Sequence, residues 1–207
     1  NNIETLAVVP WLVQHGADAY RNLGFSNSRG TKLISLNSLF RRPGLYEVEF
    51  GISLREIVED IGDGLSQGTL KGLIVGGPLA GIVPPALLDT RFGHEEMQAI
   101  GAAVGHGGII AFDEETSIAG LMEQVFRFGA YESCGKCTPC HLGSPVIARM
   151  FAALNRGEAP EQRAESQWRN IVEALDQTSL CGHGRGLAEF ARSAARYYGS
   201  ELQACFR

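Results

Sequence analysis

Glu132-Ser133-Cys134-Gly135-Lys136-Cys137-Thr138-Pro139-Cys140 sets three cysteines at C-x2-C-x2-C spacing, and a fourth follows in Ser179-Leu180-Cys181-Gly182. Four thiolates around one inorganic centre need short loops that bring neighbouring sulfurs together and one ligand delivered from another element. A triple followed by a distant single cysteine is the habit of iron–sulfur proteins. Gly135 and Thr138-Pro139 supply the tight turns. Zinc is the rival, although four-cysteine zinc sites usually show two paired C-x2-C knuckles. Redox or unligated thiols are the third reading. Four sulfurs favour a [4Fe-4S] over a [2Fe-2S] centre. Lys136 and His141 stand beside these cysteines as candidate donors of hydrogen bonds or positive charge, with plain solvated positions as the alternative.

Outward from this loop the pattern is helical. Ile118, Leu121, Met122, Val125 and Phe126 predict a helix over 117–131, ending directly before the cysteines. Pro139 and Pro145 mark the start of a second, which runs past Met150 and Phe151 to a stop at Gly157. A third is expected over 161–177 with Trp168 and Leu175 inward, and a fourth over 187–206 with Phe190, Ala194 and Leu202 inward. Four helices with thiols at their ends predict a small all-α bundle clamped by whatever the thiols bind. Cys205, between Ala204 and Phe206, reads as a semi-buried helix cysteine.

The N-terminal half changes period. Residues 1–24 predict one helix with Asn1 or Asn2 as cap and Pro10 as an interruption, followed by a polar linker at 25–30. Strands are expected at 31–40 and 45–50 around the Arg41-Arg42-Pro43-Gly44 turn, then at 71–75 and 107–113. The capping box Ser53-Leu54-Arg55-Glu56 opens a short helix, another is expected over 94–100, and a Gly/Pro-rich loop runs from Gly76 through Pro85. Hairpin, helix and further strands describe an α+β module resembling a β-grasp.

Composition excludes several classes. A net charge of -5 with scattered Lys and Arg offers no nucleic-acid face, and no apolar run approaches the roughly 20 residues that span a bilayer. Five cysteines, four of them in ligand-like spacing, favour a reducing compartment, the cytoplasm, over a secreted disulfide scaffold. Gly105-His106-Gly107-Gly108 precedes a strand, so it lacks the strand-to-helix context of a dinucleotide fingerprint, and Gly76-Gly77-Pro78 lacks the Lys-Ser/Thr of a P-loop. His15 and His94 read as surface positions. The start at Asn1, without Met and directly on a helix, is expected of part of something longer.

The nonapeptide 132–140 is similar to the iron–sulfur signature of the NADH- and FMN-binding flavoprotein subunit of respiratory complex I and its relatives. Those relatives include the diaphorase subunit of NAD-reducing hydrogenases and the β subunit of NAD-dependent formate dehydrogenases. Asn1-Asn2-Ile3-Glu4-Thr5-Leu6, Gly30-Thr31-Lys32-Leu33 and Arg42-Pro43-Gly44-Leu45-Tyr46-Glu47 resemble further segments of that family. The resemblance implies 1–29 as the last helix and linker of an upstream FMN/NADH domain, 30–115 as a soluble-ligand-binding β-grasp (SLBB-like) domain, and 116–207 as a four-helix bundle. It implies that Cys134, Cys137, Cys140 and Cys181 hold one [4Fe-4S] cluster passing single electrons to or from FMN, with NAD(H) as the two-electron partner. It places Asn1, Asn2 and Thr5 against FMN and turns Gly182 and His183 toward the flavin.

Expected partners are a thioredoxin-like [2Fe-2S] subunit and a larger iron–sulfur or metal-containing subunit, with no nucleic acid and no direct membrane insertion. Many members follow the fourth cysteine with Ala-Leu-Gly where this chain has Gly182-His183-Gly184, and His141 replaces a frequent Arg. That ending and the Gly76-Gly77-Pro78-Leu79-Ala80-Gly81 loop look more like the formate dehydrogenase branch than complex I. The competing class is a binding module, a β-grasp domain with a zinc-stapled bundle acting as a scaffold.

Overall fold

The computed structural model of the chain describes residues 2–207. Helix α1 (Ile3–His15) ends at Gly16, φ 84°, and α2 (Ala17–Arg21) restarts beyond it, so the single helix expected to residue 24 is two. A positive φ lies outside helical geometry, and glycine takes it at least cost. Pro10 is accommodated inside α1. The expected linker is a tight hairpin instead, β1 (Gly24–Phe25) with β2 (Ser28–Arg29). Ser26 takes a positive φ of 48° there, which suits a two-residue connection.

Strands β3 (Thr31–Leu36) and β4 (Gly44–Glu49) pair antiparallel, Ile34 facing Tyr46. The Ser53–Glu56 capping box opens α3 (Leu54–Glu56), which runs into a π-helical turn at Ile57–Ile61. Then come β5 (Leu70–Val75), β6 (Ile82–Val83), α4 (His94–Ala99) and β7 (Gly108–Asp113). The expected Gly/Pro loop therefore contains a short edge strand: β6 pairs Ile82 with Ile74 and Val83 with Leu73. The sheet order is β4-β3-β7-β5-β6, with β7 parallel to β3 and antiparallel to β5.

Alternation along the strands gives the sheet two cores. Leu73, Val75, Ile109 and Ala111 face α3 and α4, packing with Leu54, Phe92 and Met97. Ile74, Ile82 and Phe112 turn the other way and join the core of the C-terminal helices. Buried on both faces, β7 reads as a near-continuous apolar run, as a central strand should.

The C-terminal helices are α5 (Ile118–Tyr131), α6 (Ser144–Asn155), α7 (Ala164–Thr178) and α8 (Gly182–Ala204), with a π-helical turn at Pro139–Gly143 leading into α6. α5 packs on α6 and α8, and α7 packs on α8 and α6. Phe126, Phe151, Trp168 and Leu187 fill the space between them. α8 also docks on the sheet. Ser193 Oγ accepts from Ile82 N–H at 2.8 Å, Tyr197 donates to the Ile100 carbonyl at 2.7 Å, and Tyr198 donates to the Lys71 carbonyl at 2.6 Å. α8 begins at Gly182, not near 187, which puts Cys181 at its N-cap. Among the described residues no helix is long and apolar enough to cross a membrane.

Candidate metal centre

The structure brings the four predicted cysteines to one end of the helical layer. α5 ends at Tyr131, and Cys134 follows in an exposed loop in which Gly135 takes φ 76°. Cys137 is half-buried, and Cys140 lies in the π-helical turn with only 4% of its surface exposed. Cys181 arrives from another element, exposed and with extended backbone (φ -145°, ψ 176°) at the start of α8.

Burial pushes the Cys140 thiol above its ordinary pKa; the Ser133 hydroxyl, 3.3 Å from its sulfur, pulls it down, and the neighbouring Cys137, Cys181 and Cys134 push it up again. The other three thiols therefore lie close enough to Cys140 to act on its charge. Three thiols from one loop and a fourth from another element make the all-thiolate donor set of an iron–sulfur cluster.

The surroundings fit an anionic cluster as well. The first turn of α8 points unpaired N–H groups and the positive end of a long helix toward the cysteines. A side chain on Gly184 in that turn would collide with Ser179 Oγ and come within 3.4 Å of Cys140 Cβ, so a glycine is required for the helix start to sit this close. Ser179 is buried to 3% exposure, and its hydroxyl has no hydrogen-bond partner. His183 Nε2 lies 2.8 Å from the Gly129 carbonyl of α5. Lys136 and His141 are exposed.

The residues expected at a flavin fall in two places. Gly182 and His183 form the first turn of α8, beside Cys181. Asn2 caps α1 by accepting from Thr5 N–H at 3.1 Å, while Asn1 lies outside the described residues. α1 is pinned to the sheet by Glu4, whose carboxylate accepts from Leu33 N–H at 2.8 Å and pairs with Lys32. Partial burial works to raise the Glu4 pKa, but these two partners outweigh it and hold it below the ordinary value. A cleft of about 370 Å³ opens beneath α1, lined by Val8, Trp11, Tyr20 and Leu33 among others. Spacing alone did not single out Ser133 or Ser179. Their only signal is adjacency to the cysteines, one residue before Cys134 and two before Cys181.

Residues 120–205 match the family model described as the NADH-ubiquinone oxidoreductase-F iron-sulfur binding region. The chain is 34% identical over 205 residues to the F 2 subunit of the NADH-quinone oxidoreductase of Rhizobium meliloti (strain 1021), covering 99% of this chain and 48% of that protein. It is 32% identical to the HndC subunit of the NADP-reducing hydrogenase of Solidesulfovibrio fructosivorans, covering 99% of this chain and 42% of that one. The crystal structure of an NAD+-reducing [NiFe]-hydrogenase in the air-oxidized state superposes with a TM-score of 0.89 at 30% identity, over all of this chain and 35% of that one. The chain spans about half the length of the curated relatives it matches. Residues 120–205 therefore carry the iron-sulfur binding region of the NADH-binding flavoprotein subunits, and nearly the whole chain is similar to the C-terminal part of such subunits.

Proposed function

We propose that Cys134, Cys137, Cys140 and Cys181 hold one [4Fe-4S] cluster, and that this chain is the electron-transfer part of an NAD-linked oxidoreductase whose FMN and NAD(H) sites lie in an upstream domain. The observation that carries it is the donor set: three thiols of one loop joined by Cys181 at the start of α8, inside the residues that match the iron-sulfur binding region. Bound there, the cluster supplies one-electron steps between a two-electron flavin and one-electron partners. The protein's part is to hold it and set its surroundings. Buried Cys140 anchors it from within, exposed Cys134 and Cys181 form its outward edge, and the α8 N-terminus offsets its negative charge. Phe128, Tyr131, Leu142 and Leu180 are exposed near these cysteines, an apolar rim of the kind that another domain or subunit covers.

The sheet order with its intervening helix supports reading residues 30–115 as an SLBB-like β-grasp domain, and the pairwise packing of α5–α8 supports reading 116–207 as a four-helix bundle. The exposed apolar side chains of α1, Ile3 and Val13 each at 80%, support reading 1–29 as the last helix and linker of the flavin domain; the assignment of Asn1, Asn2 and Thr5 to FMN rests on the resemblance of residues 1–6 to the family's segment. In this assembly the partners are a thioredoxin-like [2Fe-2S] subunit and a larger metal-containing subunit. The relatives carry quinone-oxidoreductase and hydrogenase names. Formate as the ultimate donor rests on Gly182-His183-Gly184 and the 76–81 loop.

Iron and acid-labile sulfide analysis, with an EPR signal on reduction, tests the centre. Four irons and four sulfides per chain are expected; stoichiometric zinc and a silent spectrum would establish the scaffold reading instead. Affinity isolation of the native complex, followed by assay with formate, hydrogen and quinone, assigns the branch.

A further inference from the structure

The structure leaves one buried polar group beside the cysteine site without a role. Ser179 ends α7, two residues before Cys181, and its side chain is enclosed at 3% exposure. Its hydroxyl finds no partner, although a hydroxyl so enclosed destabilises the fold unless something accepts from it. The other serine at the site is engaged: Ser133 Oγ lies 3.3 Å from Cys140 Sγ. Ser179 Oγ lies against Gly184, where a side chain would strike it, and that same space borders Cys140 Cβ at 3.4 Å. The orphan hydroxyl is thus confined between the start of α8 and the most buried of the four cysteines. The sulfurs of a cluster held by these cysteines would be acceptors of matching character.

We infer that Ser179 is a positioning residue whose hydroxyl donates a hydrogen bond to a sulfur of the bound cluster and raises its reduction potential. The inference rests on the cluster reading above. A donor to sulfur stabilises the reduced form more than the oxidised form, because reduction adds negative charge to the sulfurs. Removing it makes the centre harder to reduce while leaving its four ligands in place. Gly184 serves the same arrangement by leaving room for the hydroxyl beneath the helix start.

The test is a redox titration followed by EPR of the cluster-loaded full chain, comparing wild type with Ser179→Ala and Ser179→Thr. Ser179→Ala is expected to keep its iron and sulfide and to disfavour reduction about tenfold, a shift of about 59 mV to lower potential for one electron. Ser179→Thr, which keeps the hydroxyl, is expected to titrate near wild type. An unshifted potential in Ser179→Ala overturns the inference while leaving the cluster reading intact. If Ser179→Ala loses the cluster, Ser179→Gly is titrated in its place; loss in both makes the residue structural and also overturns it. A wild-type chain without iron and sulfide overturns both readings together.

Discussion

His183 Nε2 lies 2.8 Å from the carbonyl oxygen of Gly129, tying the first turn of α8 to the last turns of α5. A carbonyl only accepts, so the imidazole carries its proton on Nε2 and donates. The bond joins the helix that starts at Cys181 to the helix that delivers Cys134, which makes it a brace across the cysteine site. His183→Leu is expected to cost about 1 kcal/mol, a fall of about 2–4 °C in the thermal midpoint for a chain of this size. His183→Gln should recover part of it. Equal midpoints for wild type and His183→Leu would show that the brace carries no stability.

In the proposed centre Cys181 is the ligand that arrives from a separate helix, so its replacement should loosen the fold as well as the centre. Cys181→Ser is expected to lower iron content and the thermal midpoint of loaded protein, because the binding free energy of a metal centre adds to folding free energy. Removing iron from wild type with a chelator should lower the midpoint toward that of the variant. Apo wild type and apo Cys181→Ser should melt alike, since the exposed thiol makes no buried contact of its own. Unchanged midpoint and iron content in loaded Cys181→Ser would remove it from the ligand set.

Ser193 is 2% exposed; its hydroxyl accepts from Ile82 N–H at 2.8 Å and donates to the Phe190 carbonyl at 2.8 Å. Ser193→Ala leaves a buried strand N–H unpaired, at an expected cost of about 1–3 kcal/mol. Chemical denaturation measures the loss, and amide exchange at Ile82 should quicken first. A loss under about 0.5 kcal/mol, the size of an ordinary surface change, would show that the bond is not needed to hold β6 on α8.

Glu4 gives the α1 attachment a pH dependence of definite sign. Its folded pKa is lowered, so its stabilising contribution is complete above the ordinary value of 4.5 and is lost as pH falls through the folded value. Acid should release α1 from β3 before the cores open. Trp11, on α1 and stacked on His15 at 4.5 Å, reports the release by fluorescence. Glu4→Gln should weaken the attachment at neutral pH and abolish its acid-dependent part. The same acid transition in both proteins would assign it to another carboxylate.

The sequence by itself determined most of the local structure and the chemistry of the centre. Alternation marked β4, short apolar runs between turn residues marked β3, β5 and β7, helical spacing marked α5, α6 and α7, and C-x2-C-x2-C with a distant cysteine marked the four thiols proposed as ligands. Patterns of this kind are legible because each residue's burial follows from its neighbours along one element. The start of α8 was not legible. Gly182-His183-Gly184-Arg185-Gly186 has the composition of a loop, and glycine is a poor helix former. Only the tertiary structure makes those residues helical, because Gly184 must clear Ser179 and Cys140 and Gly186 must clear the Leu79 backbone. Close packing against elements distant in sequence outweighs local propensity there, and it turns Cys181 from a cysteine in a loop into the cap of a helix aimed at the centre. The orphan hydroxyl of Ser179 and the His183–Gly129 brace belong to the same class. Both arise where helix ends meet, which no spacing in the chain encodes.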